Sequence, residues 1–316
     1  MMPSISLGGF DGYEPLLTNL KDVAVVVFLA GTMVAMGSRL SPGDVTKITR
    51  EYNLVARWFL ANMLAVPVFA MLLGVVFSLS RPVLLSLLLV SVAPGAPFIP
   101  TLAALSGEDS HEATRLTASL TVVAALSVPL LTAGALLFLR VEGTFVPWRF
   151  LVPLVLVLVA PLLIGGALRA VAPTVAGRLV RPLELVAQVT LLSVLVLIVV
   201  LSPGETIRVF ARLVGTGTLL VFVVFIFGTI AIGWLVGGPT SNSRRILALG
   251  TAGRNVGIAL FIAASAFEGE NADSEILAFT ILMLAVSVLV AWYWRRKSDS
   301  EATSPPSDTE GISGEV

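Results

Sequence analysis

Nine apolar stretches, each about as long as a helix needs to cross a ~30 Å hydrocarbon layer, run through this chain between residues 19 and 294. They cover roughly 19 to 38, 54 to 78, 82 to 105, 113 to 139, 148 to 170, 183 to 202, 207 to 236, 246 to 267 and 275 to 294. Hydrocarbon offers a backbone no hydrogen-bond partners, so a spanning segment is either a helix or part of a closed barrel. These stretches are too long and too continuously apolar for barrel strands. A mean hydropathy of +0.96, with 56% hydrophobic and 13% charged residues, lies far from soluble composition. The predicted fold is an all-α polytopic membrane protein of about nine transmembrane helices, with the lipid bilayer as its surroundings.

The joins, such as RLSPGD, SLSRP, GGPTSNS and EGENADSE, are short and carry Gly, Pro, Ser or charge, as interfacial turns do. Residues 1–18 contain acids, no basic leader and no clear cleavage site, which speaks against a signal peptide. Residues 296–316 are polar and acidic, a composition expected to be disordered. Basic residues orient the bundle. Lys21, Arg81, Arg140, Arg149, Arg208 and Arg212 fall on the N-terminal side. Arg39, Lys47, Arg50, Arg57, Arg115, Arg169, Arg178, Arg181, Arg244, Arg245, Arg295, Arg296 and Lys297 fall on the other. The excess predicts a multi-pass cell-membrane protein with its N terminus outside and its C terminus in the cytoplasm. Trp292, Tyr293 and Trp294, just before RRK, fit an interfacial anchor on the cytoplasmic side.

Several chemistries find no support. The chain has no cysteine, which excludes thiol chemistry and Cys-ligated metals. Its net charge is zero and it holds no basic block, so nucleic acid is not an expected partner. His111, the single histidine, sits in the polar GEDSHEA loop. Asp44, Glu51, Glu108, Asp109 and Glu112 read as solvated loop acids, and Glu184 as an interfacial partner of Arg178 and Arg181. No Asp, Glu or His within a span stands ready to relay protons. A membrane-embedded enzyme would want convergent acids, histidines or a nucleophile, so neither enzymatic activity nor a cofactor is expected. The glycines of GTGTLLVFVVFIFG lack the Lys-Ser/Thr of a phosphate loop and suit close helix packing.

Two spans are written to break. In APGAPFIP, Pro94, Pro97 and Pro100 each lack an amide donor and clash with the carbonyl four residues back, freeing carbonyls near Val90, Ala93 and Ala96. In LGTAGRNVGIAL, Gly250, Gly253 and Gly257 weaken the helix where Arg254 and Asn255 make it polar. The two lie an odd number of spans apart and so cross in opposite senses, the signature of an inverted repeat whose discontinuous helices cross at a midplane site. Half-helix N-termini there favour anions, and freed carbonyls can hold small cations. A single kink would be ordinary helix packing; two in matching positions point to transport.

These segments, in order, resemble the bile acid:sodium symporter family: GTMVAMGSRLSPGDV (31 to 45), NMLAVP (62 to 67), APGAPFIP (93 to 100), SVPLLTAG (127 to 134) and RNVGIAL (254 to 260). The resemblance covers roughly residues 20 to 295. It implies a panel domain (about 19–38 and 148–202), a core domain (about 54–139 and 207–294), and alternating access carrying an organic anion: a bile-acid-like molecule, a steroid sulfate or a small carboxylate. Gly95, Pro97, Phe98, Arg254 and Asn255 would then face substrate, and Thr117, Thr121, Asn62 and Gly250 would stand where the family binds sodium.

The sodium site departs from the family pattern. Ile99, Pro100 and Gly250 replace polar or acidic ligands, and Arg254 replaces a glutamine. Two hydroxyls and some carbonyls without an anion make a weak cation site. Two readings of Arg254 follow: it draws the anionic substrate directly, in place of sodium, or it caps free carbonyls. The functional alternatives are a sodium-coupled symporter with a rearranged ion site and a membrane ligand sensor that moves nothing. Gln188 is a further polar candidate within a span.

Overall fold

The computed structural model describes residues 14–39, 41, 43, 46, 52–138, 147–267 and 272–303. Asp44, Glu51, Arg140 and the ends 1–13 and 304–316 lie outside the described residues. Among the described residues every regular element is helical. In chain order these are α1 (Glu14–Arg39), α2 (Tyr52–Leu60), a π turn (Ala61–Ala65), α3 (Val66–Val76), α4 (Arg81–Ser91), α5 (Ile99–Leu105), α6 (Ser110–Phe138), α7 (Pro147–Val171), α8 (Pro173–Leu201), α9 (Pro203–Gly215), α10 (Thr218–Val236), α11 (Ser241–Ala252), α12 (Val256–Ala266) and α13 (Ala272–Thr303).

Among the described residues six helical runs are long and apolar enough to span a bilayer: Pro15–Arg39, Tyr52–Val76, Val152–Val171, Pro173–Leu201, Thr218–Val236 and Ala272–Ser300. The two stretches written to break are each split into a pair of short helices, α4/α5 and α11/α12. The stretch 207 to 236, expected as one span, is also divided. Gly217 takes a left-handed φ of 75° and separates α9 from α10. In α9 Val209 and Leu213 are buried while Arg208 and Arg212 lie exposed, the pattern of a helix lying in an interface plane. α13 continues to Thr303, into the segment expected to be disordered. Its end is held by Arg295–Asp299 and by the Ser300 hydroxyl donating to the Arg296 carbonyl, both one helical turn apart.

Between α2 and α3 the helix widens. Pro67 has no amide and would clash with the carbonyl of Met63, and the wider turn, in which Val66 donates to Ala61, accommodates it. The turn carries Asn62, fully buried.

α1 lies lengthwise against α7 and α8. α10 packs along α11, and α13 touches α4, α5, α11 and α12. α8 turns Leu185, Val189, Leu192 and Val196 outward, an apolar flank suited to lipid. α1 and α7 meet backbone to backbone: a Cβ on Gly37 would stand 2.1 Å from the Leu162 carbonyl oxygen, and one on Gly165 would stand 2.2 Å from that of Val34. Small residues allow such approach, which is how helices gain contact where lipid gives no hydrophobic drive.

Gly37→Val is expected to destabilise the protein by about 2 kcal/mol or more through overpacking. Gly166→Ala, where a Cβ meets nothing within 4 Å, is expected to be neutral or to stabilise by up to about 1 kcal/mol through helix propensity. Thermal unfolding of the detergent-solubilised variants measures both; equal effects would contradict the close crossing.

Candidate functional site

Both breaks occur where the residues demand them, and they meet. After Ser91 the chain leaves the helix, and Gly95 takes φ 84°. A Cβ there would lie 2.9 Å from the Thr121 hydroxyl of α6, so both conformation and space call for glycine. Pro94 pairs antiparallel with Arg254 as an isolated β-bridge, and the Asn255 amide donates to the Ala93 carbonyl at 2.7 Å. All three carbonyls that the prolines deprive of helical donors are satisfied, one across the crossing and two within the first break. Val90 accepts from Ala93 at 3.2 Å, Ala93 from Asn255, and Ala96 from Ile99 at 3.3 Å.

Arg254 is fully buried, with no exposed surface. One terminal nitrogen donates to the Ser91 carbonyl at 3.3 Å and the other to the Thr251 carbonyl. Those carbonyls end α4 and α11, so one guanidinium sits against two half-helix C-termini, where macrodipoles place partial negative charge. Its Nε has no hydrogen-bond partner among the described residues. Asn255 caps α12 by accepting from the Ile258 amide at 3.3 Å, while its amide nitrogen Nδ2 stays buried and unpaired.

The residues expected near an ion gather around the same ends. Asn62 Nδ2 donates to the Trp58 carbonyl at 2.9 Å and to the Thr251 hydroxyl at 3.5 Å. Gly250 leaves room for Trp58, whose ring would be 2.4 Å from a Cβ there. On α6, Thr121 donates to the Thr117 carbonyl at 2.8 Å. Asn62 Oδ1 and Thr117 Oγ1 remain buried without partners among the described residues. No group of three or more His, Cys, Asp or Glu that could hold a metal ion occurs among them.

A cavity of about 60 Å³ lies beside the first break, between α1, α8 and the start of α5. Of the residues expected to face substrate, Pro97 lines it. Phe98 packs against the small apolar cluster of Leu102, Leu249 and Ala291, and Gly95, Arg254 and Asn255 are enclosed in the crossing. Gln188 also lines the cavity, together with Arg39, Glu184, Thr32 and Thr101. Arg39 and Thr32 went unnoticed as site residues because nothing along α1 distinguishes a cavity-lining Arg from an interfacial one.

Other acids differ from expectation. Glu184 pairs with Arg39 on α1 rather than with Arg178 or Arg181, because helix packing brings α1 alongside. Glu108 is largely buried against Arg245 at 2.6 Å, and Glu112 accepts from Asn242 and Ser243. Asp109 caps α6 by accepting from the His111 amide at 2.8 Å. Glu108 and Glu112 therefore bind the 105–110 turn to the start of α11 instead of lying free in solvent, while the Asp109 side chain is exposed as expected. Glu275, at the start of α13, is buried 3.5 Å from Arg212, so a buried carboxylate does occur within a span.

A helical membrane protein with two discontinuous helices paired through their breaks belongs architecturally with the broken-helix secondary transporters. The sequence matches the Sodium Bile acid symporter family over residues 26–208. That is more than half of the chain, and the protein belongs to this family. Comparison with curated proteins returns no match. The matched range ends before the second break, so the Arg254 half of the crossing is known from its geometry.

Arg254→Met leaves the Ser91 and Thr251 carbonyls without these donors and is expected to cost roughly 2–5 kcal/mol. Arg254→Lys should recover part of this by serving one of the two ends. Thermal midpoints in one detergent test the order wild type, Lys, Met.

Proposed function

We propose that this protein is a secondary transporter that moves an organic anion by alternating access, with no co-transported sodium. The observation that carries the reading is the antiparallel pairing of Pro94 with Arg254, which joins two discontinuous helices and leaves their ends around one buried region. The bundle supplies about nine crossings when α4/α5, α6 and α11/α12 are counted with the six long runs, and the two broken pairs are the equivalent members of an inverted repeat. α1, α7 and α8 form the panel, and the remaining helices the core that moves against it. The positive-inside rule places the N terminus outside and the C terminus in the cytoplasm.

Sodium does not fit the crossing in this chain. A small cation would seek the carbonyls at the ends of α4 and α11, and the Arg254 guanidinium holds Ser91 and Thr251 there. Asn62 Oδ1 and Thr117 Oγ1 offer two further oxygens, but neither carries charge. A fixed cation in their neighbourhood raises the cost of a second one. Arg254 acts as a tethered counter-charge that makes the crossing electropositive without leaving it. Having no exposed surface, it favours the anion through its field rather than by touching it.

Proteoliposome counterflow tests the carrier reading: preloaded unlabelled anion should drive entry of labelled anion, whereas a sensor would bind without exchange. Uptake should be the same in sodium and in an impermeant organic cation; several-fold stimulation by sodium would refute the tethered-charge reading. With no accompanying cation, each monovalent anion moves one net charge. An inside-negative potential of 100 mV, worth about 2.3 kcal/mol per charge, should therefore lower equilibrium accumulation roughly 50-fold. Arg254→Gln should sharply reduce uptake by folded protein.

A further inference from the structure

The geometry points to Arg39, not Arg254, as the residue that grips the substrate: an oxyanion head group enters the cavity between α1, α8 and α5 and takes Arg39 from Glu184. This rests on the carrier reading above and names its recognition site.

Among the residues lining that cavity, Arg39 is the one cation. Its side chain is 27% exposed and that of Glu184 24%, so the pair can be approached, whereas Arg254 has no exposed surface. Arg39 is incompletely satisfied. One terminal nitrogen holds Glu184 Oε1, and the other meets the Thr114 hydroxyl at 3.5 Å, a long contact. Thr114 spends its own proton on the Ser110 carbonyl at 2.7 Å and so presents a lone pair to Arg39. Nε is buried with no partner among the described residues. Thr32, two turns back on the same face of α1, is 2% exposed, and its hydroxyl is likewise unpaired. Two residues lining the cavity thus carry an unused hydrogen-bonding group each, the Thr32 hydroxyl and one N–H of the Arg39 guanidinium itself.

A guanidinium presents five N–H groups in a planar fork that matches a carboxylate or sulfate edge with two parallel bonds. Arg39 gives Glu184 a single bond, so an incoming oxyanion can offer more than the resident acid does. Both acids cannot share the site without repulsion, so the substrate competes with Glu184 and its arrival releases the tie between α1 and α8. The volume sets a second limit. About 60 Å³ accepts a head group with a short stem and leaves a steroid body outside in this conformation.

Three variants test the exchange, using acetate, hexanoate and hexyl sulfate as probes and hexanamide as the uncharged control. Binding is read by thermal shift of purified protein, and transport by counterflow of labelled hexanoate. Wild type should be stabilised by hexanoate or by hexyl sulfate, and not by hexanamide; the better probe tells which oxyanion is preferred. Glu184→Gln removes the competitor and should tighten binding about tenfold. Arg39→Gln should weaken it at least tenfold. The double variant Arg39→Gln/Glu184→Gln, which leaves no unpaired charge behind, should fold and still fail to bind.

The proposal is overturned if Glu184→Gln weakens binding as Arg39→Gln does, or if the folded double variant binds like wild type. It is also overturned if hexanamide protects as well as hexanoate. Wild-type counterflow that persists with unchanged KM in the double variant would discard Arg39 and keep the carrier. Absence of wild-type counterflow and binding with every probe would discard both.

Discussion

In hydrocarbon a freed peptide group has no water to fall back on, and that constraint organises this molecule. Pro94, Pro97 and Pro100 remove donors from the middle of a span, and the second break interrupts the opposing helix between Ala252 and Val256. Each segment alone would carry buried polar backbone at a cost of several kcal/mol. Paired across the crossing, Ala93 receives the Asn255 amide, and the Arg254 guanidinium serves the carbonyl ends of both α4 and α11. Neither break is affordable without the other.

The crossing also explains why polar residues that would be liabilities elsewhere are tolerated here. Arg254 is a full charge with no exposed surface, yet it lies where two helix termini present partial negative charge. Asn62 is turned into the same region by a π turn that Pro67 imposes, and it reaches Thr251, the residue whose carbonyl Arg254 holds. Family membership brings an expectation of sodium. In this chain the Arg254 guanidinium holds the carbonyls at the ends of α4 and α11, the kind of group a small cation would seek.

Charge is divided between two places. Arg254 is enclosed and partnered by backbone, whereas Arg39 lines a cavity and is held by one acid; on the carrier reading proposed above, the first would act through its field and the second by changing partners.

The apolar runs, the proline cluster and the glycine-flanked Arg254 stand in the primary sequence because they act locally. Run length follows from bilayer thickness, and proline breaks a helix whatever surrounds it. The helical class, both breaks and the carbonyls they free were legible for that reason. What lay outside local reach was which donor found which carbonyl, that Glu184 chose Arg39 over its nearer neighbours Arg178 and Arg181, and that Glu108 and Glu112 were drawn out of solvent. Those outcomes depend on which helix faces meet, and α1 meets α7 through glycines whose value appears only when a second backbone arrives 2.1 Å from a missing Cβ. Sequence by itself determined where the proline-rich and the glycine-flanked spans must break and which carbonyls the prolines free. Tertiary structure decided who satisfies them, because hydrogen bonds and ion pairs form between neighbours in space, and packing, not chain order, makes them neighbours.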